Sequence, residues 1–206
     1  MRFWLRKIEW PDIKVSCPFY LVTAAILLVV PLRWVVAFLI SAGVHELWHM
    51  MSLKLLGVGI RRIRISCFGT EISTEPLSNT QELLAALAGP CGSLSLLLLA
   101  RFLPLTALFA TIHAAYNLLP VYPLDGGRVL RCLCSLMLPE ELAARFCACF
   151  EAVVRTGILI LGVYGLFVLH LGLLPLSVAI LLLFKNRMKN TLQRRPPRGT
   201  IVLPMM

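Results

Sequence analysis

Residues 34–56 read WVVAFLISAGVHELWHMMSLKLL, an apolar run long enough to cross a bilayer as a helix. Only a helix or a closed barrel satisfies its own backbone in hydrocarbon, so a run of this length has little choice of fold. Yet His45, Glu46 and His49 lie in its middle. An ionisable group at bilayer centre costs about 2.5–3.5 kcal/mol on insertion scales, so three together need a common reason. At 1.5 Å per residue, His45 sits about 16 Å from either end of the span, near mid-depth. The composition agrees with a membrane setting. The 206 residues are 59% hydrophobic and 15% charged, with a mean hydropathy of +0.84. A soluble domain carries about 25% charged residues.

Further apolar runs extend the pattern. VSCPFYLVTAAILLVVPL, bounded by Pro18 and Pro31, reads as a short first span, retained because no small-x-small cleavage site follows it. The second span covers about Trp34 to Leu56. In the next segment Ile63, Ile65 and Cys67 alternate with Arg62, Arg64 and Ser66, which is strand period. It predicts short strands or a hairpin at the membrane surface, with Arg62–Thr70 offering an edge for an extended partner. A third span runs from about Glu82 to Phe102, thinned by Gly89, Gly92, Ser93 and Ser95 for close helix contact. LTALFATIHAAYNLL after Pro104 makes a short fourth, and PVYPLDGG then breaks the chain. A helix restarts near Arg128, a fifth span lies near Val153–Leu169 and a sixth at Leu173–Phe184. The fold class is therefore an all-α polytopic membrane protein of about six helices. A short β-hairpin lies between helices 2 and 3, and a re-entrant Pro/Gly loop follows helix 4. Residues 1–190 form one membrane domain, and 191–206 a basic, loosely ordered cytoplasmic tail.

The net charge of +10 gathers at the ends and in short loops. Arg2, Arg6, Lys7 and Lys14 lie at one end, and Lys185, Arg187, Lys189, Arg194, Arg195 and Arg198 at the other. That pattern fits anchoring to anionic lipid on the cytoplasmic side better than nucleic-acid binding. With six spans both termini are cytoplasmic in a multi-pass protein of the cell membrane. The loops carrying Lys54, Arg61, Arg62 and Arg64, and Arg128 with Arg131, then also fall inside. The seven cysteines form no C-x-x-C pair, and they read as buried small hydrophobes.

His45-Glu46-Leu47-Trp48-His49 is H-E-x-x-H. Residues four apart share a helix face, so both imidazoles can meet one ion. Glu46 is offset by about 100° and can take a proton from water beside the metal instead of binding it. Zinc favours such a set with an open fourth position. A third ligand is required. The extended pattern H-E-x-x-H-x-x-G-x-x-H fails at Ser52 and Leu55. Glu71 and Glu75 are candidates only if a helix follows the motif, and the intervening segment has strand period. Asp125 is the better candidate. It is the only aspartate beyond the N-terminal segment, and it ends an apolar helix at a break tolerated at membrane depth only when buried or lining a wet cavity. The plain alternative is an ordinary Asp-Gly turn.

HELWH in the second span, LAGPCGS in the third and NLLPVYPLDGGR after the fourth resemble the site-2 protease family of intramembrane zinc metalloproteases. The likeness covers roughly residues 34–130. It is greatest to the bacterial sporulation subgroup that cleaves a membrane-associated sigma-factor precursor. It implies His45, His49 and Asp125 as ligands of one Zn2+ ion and Glu46 as catalytic base. It implies Asn117 as a contact to substrate or oxyanion, and a membrane-protein substrate. Ser93 stands where many members carry asparagine, so no polar role carries over to it. No PDZ insertion or C-terminal nucleotide-sensing domain is seen, so a regulator is expected to be a separate membrane protein.

The competing class is a polytopic transporter or metal-ion carrier using His45, His49 and Asp125 as its transport site. Glu46 separates the two, since a carrier needs no base held off the metal, and inverted repeats are not evident. His113, one turn before Asn117, reads as a packing histidine, and Cys91 as packing. His170 and the tryptophans Trp4, Trp10 and Trp34 read as interfacial.

Overall fold

Several prolines stand at helix starts, where a missing N–H costs little. The computed structural model describes residues 12–66, 69–167, 170 and 201–205, the last five as backbone only. Helix α1 (Cys17–Val29) carries Pro18 in its first turn, α2 (Leu32–Leu55) follows Pro31, and α4 (Pro104–Asn117) begins on a proline. Helix α3 (Asn79–Ser95) starts at a capping box between Ser78 and Gln81, which satisfies two orphan backbone donors. It runs through Pro90 and tightens into a 3-10 turn at Leu96–Leu99. Helices α5 (Asp125–Met137) and α6 (Glu140–Phe167) follow.

Among the described residues three helical stretches are long and apolar enough to cross a membrane: Leu32–Leu55, Asn79–Leu99 and Glu140–Phe167. At 13 residues α1 rises only about 20 Å, short of a hydrocarbon core of about 30 Å. The chain is a mostly helical membrane protein. The expected sixth span, Leu173–Phe184, lies outside the described residues.

The strand period of the sequence appears as β2 (Ile60–Ser66) and β3 (Gly69–Thr74), paired antiparallel with Ile63 opposite Ile72 and Ser66 opposite Gly69. Two further strands were not foreseen. β1 (Asp12–Val15) joins β2 in parallel, and β4 (Ile201–Met205) pairs antiparallel with β3, giving the order β1-β2-β3-β4. This corrects two expectations. β2 has a neighbour on each side, so Arg62–Ser66 offers no edge, and β4 occupies the outer edge of β3. The end of the basic tail is a strand and not loose chain. β1, Asp12-Ile13-Lys14-Val15, alternates polar and apolar residues but over only four positions; parallel pairing with β2 and the ion pair of Asp12 with Arg62 (3.3 Å) hold it in place.

Helix packing follows one spacing. On α2 the buried residues Ala37, Ser41, His45, His49 and Leu53 recur at every fourth position. On α3, Ala85, Gly89 and Ser93 keep the same step. Positions four apart share a face, and small side chains let two backbones approach. The two stripes meet, and α4 closes on α2 with Ala107, Ala110 and Ala114 buried. Below the stripe, Leu53 packs with Val58, Ile63, Ile72 and Ala85, fixing the sheet to the ends of α2 and α3. Helix α5 lies on α3, and α6 on α5.

Leu53 is fully buried between helix and sheet. Leu53→Ala should cost about 2–5 kcal/mol, read as an earlier thermal transition of the detergent-solubilised protein. An unchanged transition would contradict this account of how the sheet is fixed.

Candidate metal centre

The α2 stripe carries two imidazoles to the α3 contact, and the Pro/Gly segment delivers the third group. After α4, the chain turns through residues 118–124, with Val121 and Leu124 fully buried. Asp125 opens α5, where a carboxylate suits the positive end of the helix. The helix thus restarts three residues earlier than the sequence indicated. Gly126 and Gly127 permit this, because a Cβ on either would strike backbone of Leu118–Leu119 or Val121–Tyr122. The first turn of α5 therefore lies directly on its own approach loop.

The result brings together residues 80 positions apart. His45 Nε2 is 3.1 Å and His49 Nε2 3.2 Å from Oδ2 of Asp125, and the two nitrogens are 3.0 Å from each other. All three side chains are buried. This is the one group of metal-ligating side chains within such reach of one another among the described residues. Glu71 and Glu75 do not join it: Glu71 lies opposite Arg64 in the sheet, and the Glu75 backbone bonds to Gly59.

The outer atoms set the chemistry of the inner ones. His49 Nδ1 lies 2.7 Å from the Ala85 carbonyl, which can only accept, so Nδ1 carries the proton and Nε2 presents a lone pair. His45 Nδ1 is 2.8 Å from Ser93 Oγ. With Nδ1 donating there, two lone pairs and a carboxylate oxygen face one point, an arrangement that repels itself unless a proton or cation sits between. Zinc bonds of about 2.0–2.1 Å at tetrahedral angles set donors about 3.3–3.4 Å apart. The observed 3.0–3.2 Å separations are close to that spacing. The residues therefore fit a metal ion with three protein ligands.

Glu46 and His113 lie beside His45, and Asn117 stands one turn further along α4. Glu46 is buried beside His45 on α2. The His113 ring lies 4.5 Å from that of His45. Asn117 is buried, and its Nδ2 donates to the His113 carbonyl at 3.1 Å, one turn back on α4. Gly89 lies against both histidines, and a Cβ there would enter the imidazoles.

Two contacts were not legible. Ser93 reads as one more small residue of a packing stripe, yet it bonds His45. Arg128 reads as a cytoplasmic loop charge, yet it is buried and contacts Asp125 and Glu82, so it no longer counts toward orientation by surface charge. Its position one turn after Asp125 was the available signal. Glu82 does stand in the first turn of α3, as expected, but with Arg128 as its partner.

Comparison with known proteins adds the following. No protein-family model matches the chain. A zinc metalloprotease of Methanocaldococcus jannaschii is 29% identical over 119 residues, 50% of this chain and 35% of that protein. Stage IV sporulation protein FB of Bacillus subtilis is 28% identical over 200 residues, 85% of this chain and 65% of that protein. The chain thus spans between about a third and two thirds of these relatives' length. The solved site-2 protease from M. jannaschii shares the fold, with a TM-score of 0.63 at 23% identity over 87% of this chain and 91% of that one.

Gly89→Ala should abolish tight zinc binding, since its methyl takes the space of the imidazoles. Ser93→Ala should weaken binding by about 10–100-fold, the usual effect of losing a histidine's outer partner. Chelator competition on the purified protein reads both. Wild-type affinity in either variant would contradict the geometry.

Proposed function

We propose that this chain is a member of the site-2 protease family and an intramembrane zinc metalloprotease, as its similarity to a zinc metalloprotease, to a sporulation protein and to a solved site-2 protease supports. It hydrolyses a peptide bond within or beside a transmembrane segment of a membrane-associated substrate. The observation that carries this reading is the convergence of His45, His49 and Asp125 on one point, with Glu46 buried alongside. We assign the first three as ligands of a single Zn2+ ion. Zinc held there supplies a Lewis acid that polarises the scissile carbonyl and activates water.

The chain's own residues do the rest. Glu46 takes the proton of the attacking water on its carboxylate and returns it to the leaving amine. Asn117 has two amide hydrogens, one of them engaged with His113, which leaves one to donate to the carbonyl oxygen as charge develops. Ser93 and the Ala85 carbonyl hold the two imidazoles still. Enclosure by α2, α3 and α4 limits water to the site, which strengthens each of these polar contacts.

The finer membrane arrangement is part of the same proposal. The chain crosses about six times, with PVYPLDGG re-entering to the depth of HELWH and both termini cytoplasmic. Residues 1–190 act as one membrane domain, with 191–206 a cytoplasmic tail. The substrate in this reading is a regulatory protein such as a sigma-factor precursor, in keeping with the similarity to a stage IV sporulation protein, and the regulator is a separate membrane protein. A metal carrier built on the same three ligands would have no need of Glu46.

Glu46→Gln should retain zinc and lose at least about 100-fold in cleavage of a single-span substrate, as expected for a lost general base. His45→Ala should lose both. Full cleavage by Glu46→Gln would overturn the mechanism.

A further inference from the structure

The two oxygens of Asp125 face different partners. Oδ2 meets the histidines at 3.1 and 3.2 Å, while Oδ1 accepts from Nη1 of Arg128 at 3.5 Å. Arg128 lies three residues on in α5, on the same face of its first turn. Its side chain is only 1% exposed. A guanidinium does not shed its charge, so burial at this depth requires anionic partners. The second partner is Glu82 in the first turn of α3, whose Oε1 accepts from Arg128 Nε at 3.3 Å. The Glu82 side chain is 29% exposed. One planar fork thus joins a carboxylate at the metal centre to another nearer the surface, bridging α5 and α3.

We infer that Arg128 is a positioning residue for Asp125 and that Glu82 is its counter-charge. This rests on the metal-centre reading above. The terminal torsion of an aspartate is broad, so the carboxylate plane is free to turn unless something holds one oxygen. The fork holds Oδ1, and the turn of the plane then points Oδ2 at the imidazoles. The same positive charge competes with a metal ion for Asp125. Glu82 draws part of it away through Nε, leaving more of the Asp125 charge for the ion. Lysine carries the charge as a point on a flexible stem and cannot span both carboxylates with a fixed geometry.

The test uses the full chain in detergent, with zinc affinity from chelator competition and the visible spectrum of the cobalt-substituted protein. Four proteins are compared: wild type, Glu82→Gln, Arg128→Lys, and Arg128→Met combined with Glu82→Gln, which removes both charges together. The double variant should bind zinc about 10–100-fold more weakly with a changed cobalt spectrum, as outer partners of ligands typically show. Arg128→Lys should recover part of the affinity but not the spectrum. Glu82→Gln should lower affinity with the fold intact by circular dichroism. A folded double variant with wild-type affinity and spectrum overturns the inference. Should neither Arg128 variant fold, Glu82→Gln decides: unchanged affinity and spectrum overturn it, and lowered affinity supports it. Wild-type protein that holds neither zinc nor cobalt would instead overturn the metal-centre reading itself, which separates the two failures.

Discussion

Three lone-pair donors meeting at 3.0–3.2 Å inside an apolar helix bundle is the constraint from which the rest follows. Two imidazole nitrogens and a carboxylate oxygen do not gather in a low dielectric on their own account, because each loses water and gains a repulsive neighbour. A cation reverses that sign. The fold can then be understood as what is needed to bring them to one point. The every-fourth-residue stripe on α2 puts both histidines on the packing face, Gly89 leaves room for their rings, and Gly126–Gly127 let α5 start hard against its own approach loop.

Ion pairs complete the enclosure where apolar contact does not. Helix α6 lies against α5 and carries Glu151, a buried carboxylate. Arg131 of α5 reaches it at 2.9 Å and Arg155 of α6 at 2.8 Å. Arg155 also donates to the Tyr122 carbonyl at 3.0 Å, and Arg131 stacks 3.8 Å over the Tyr122 ring. The loop that delivers Asp125 is thereby held from its far side. Breaking one member of such a buried pair leaves a charge uncompensated, which is why networks of this kind resist piecemeal change.

What the sequence made legible was whatever period and spacing encode. H-E-x-x-H needs only the helical repeat, and the alternation of Ile63 and Ile65 with arginines needs only the strand repeat; both appear as read. Asp125 could be picked out because an aspartate is rare in an apolar chain. Strand partners are a different matter. β1 alternates Asp, Ile, Lys and Val over only four residues, too short a run to stand out as a strand, and it exists by pairing with β2, so the loss of the β2 edge was not announced locally. Ser93 and Arg128 were hidden for a related reason. A small residue on a packing stripe and a basic residue near a loop each have a commonplace explanation, and only the fold brings one to an imidazole and the other to a carboxylate.

The central claim is that HELWH and PLDGG share one metal ion through nitrogen and oxygen alone. X-ray absorption at the zinc edge of the purified protein tests it directly. The account predicts zinc with a shell of nitrogen and oxygen at about 2.0–2.1 Å, carrying the outer-shell scattering of two imidazoles. Sulfur at about 2.3 Å, from any of the seven cysteines, or protein that takes up no zinc, would contradict it.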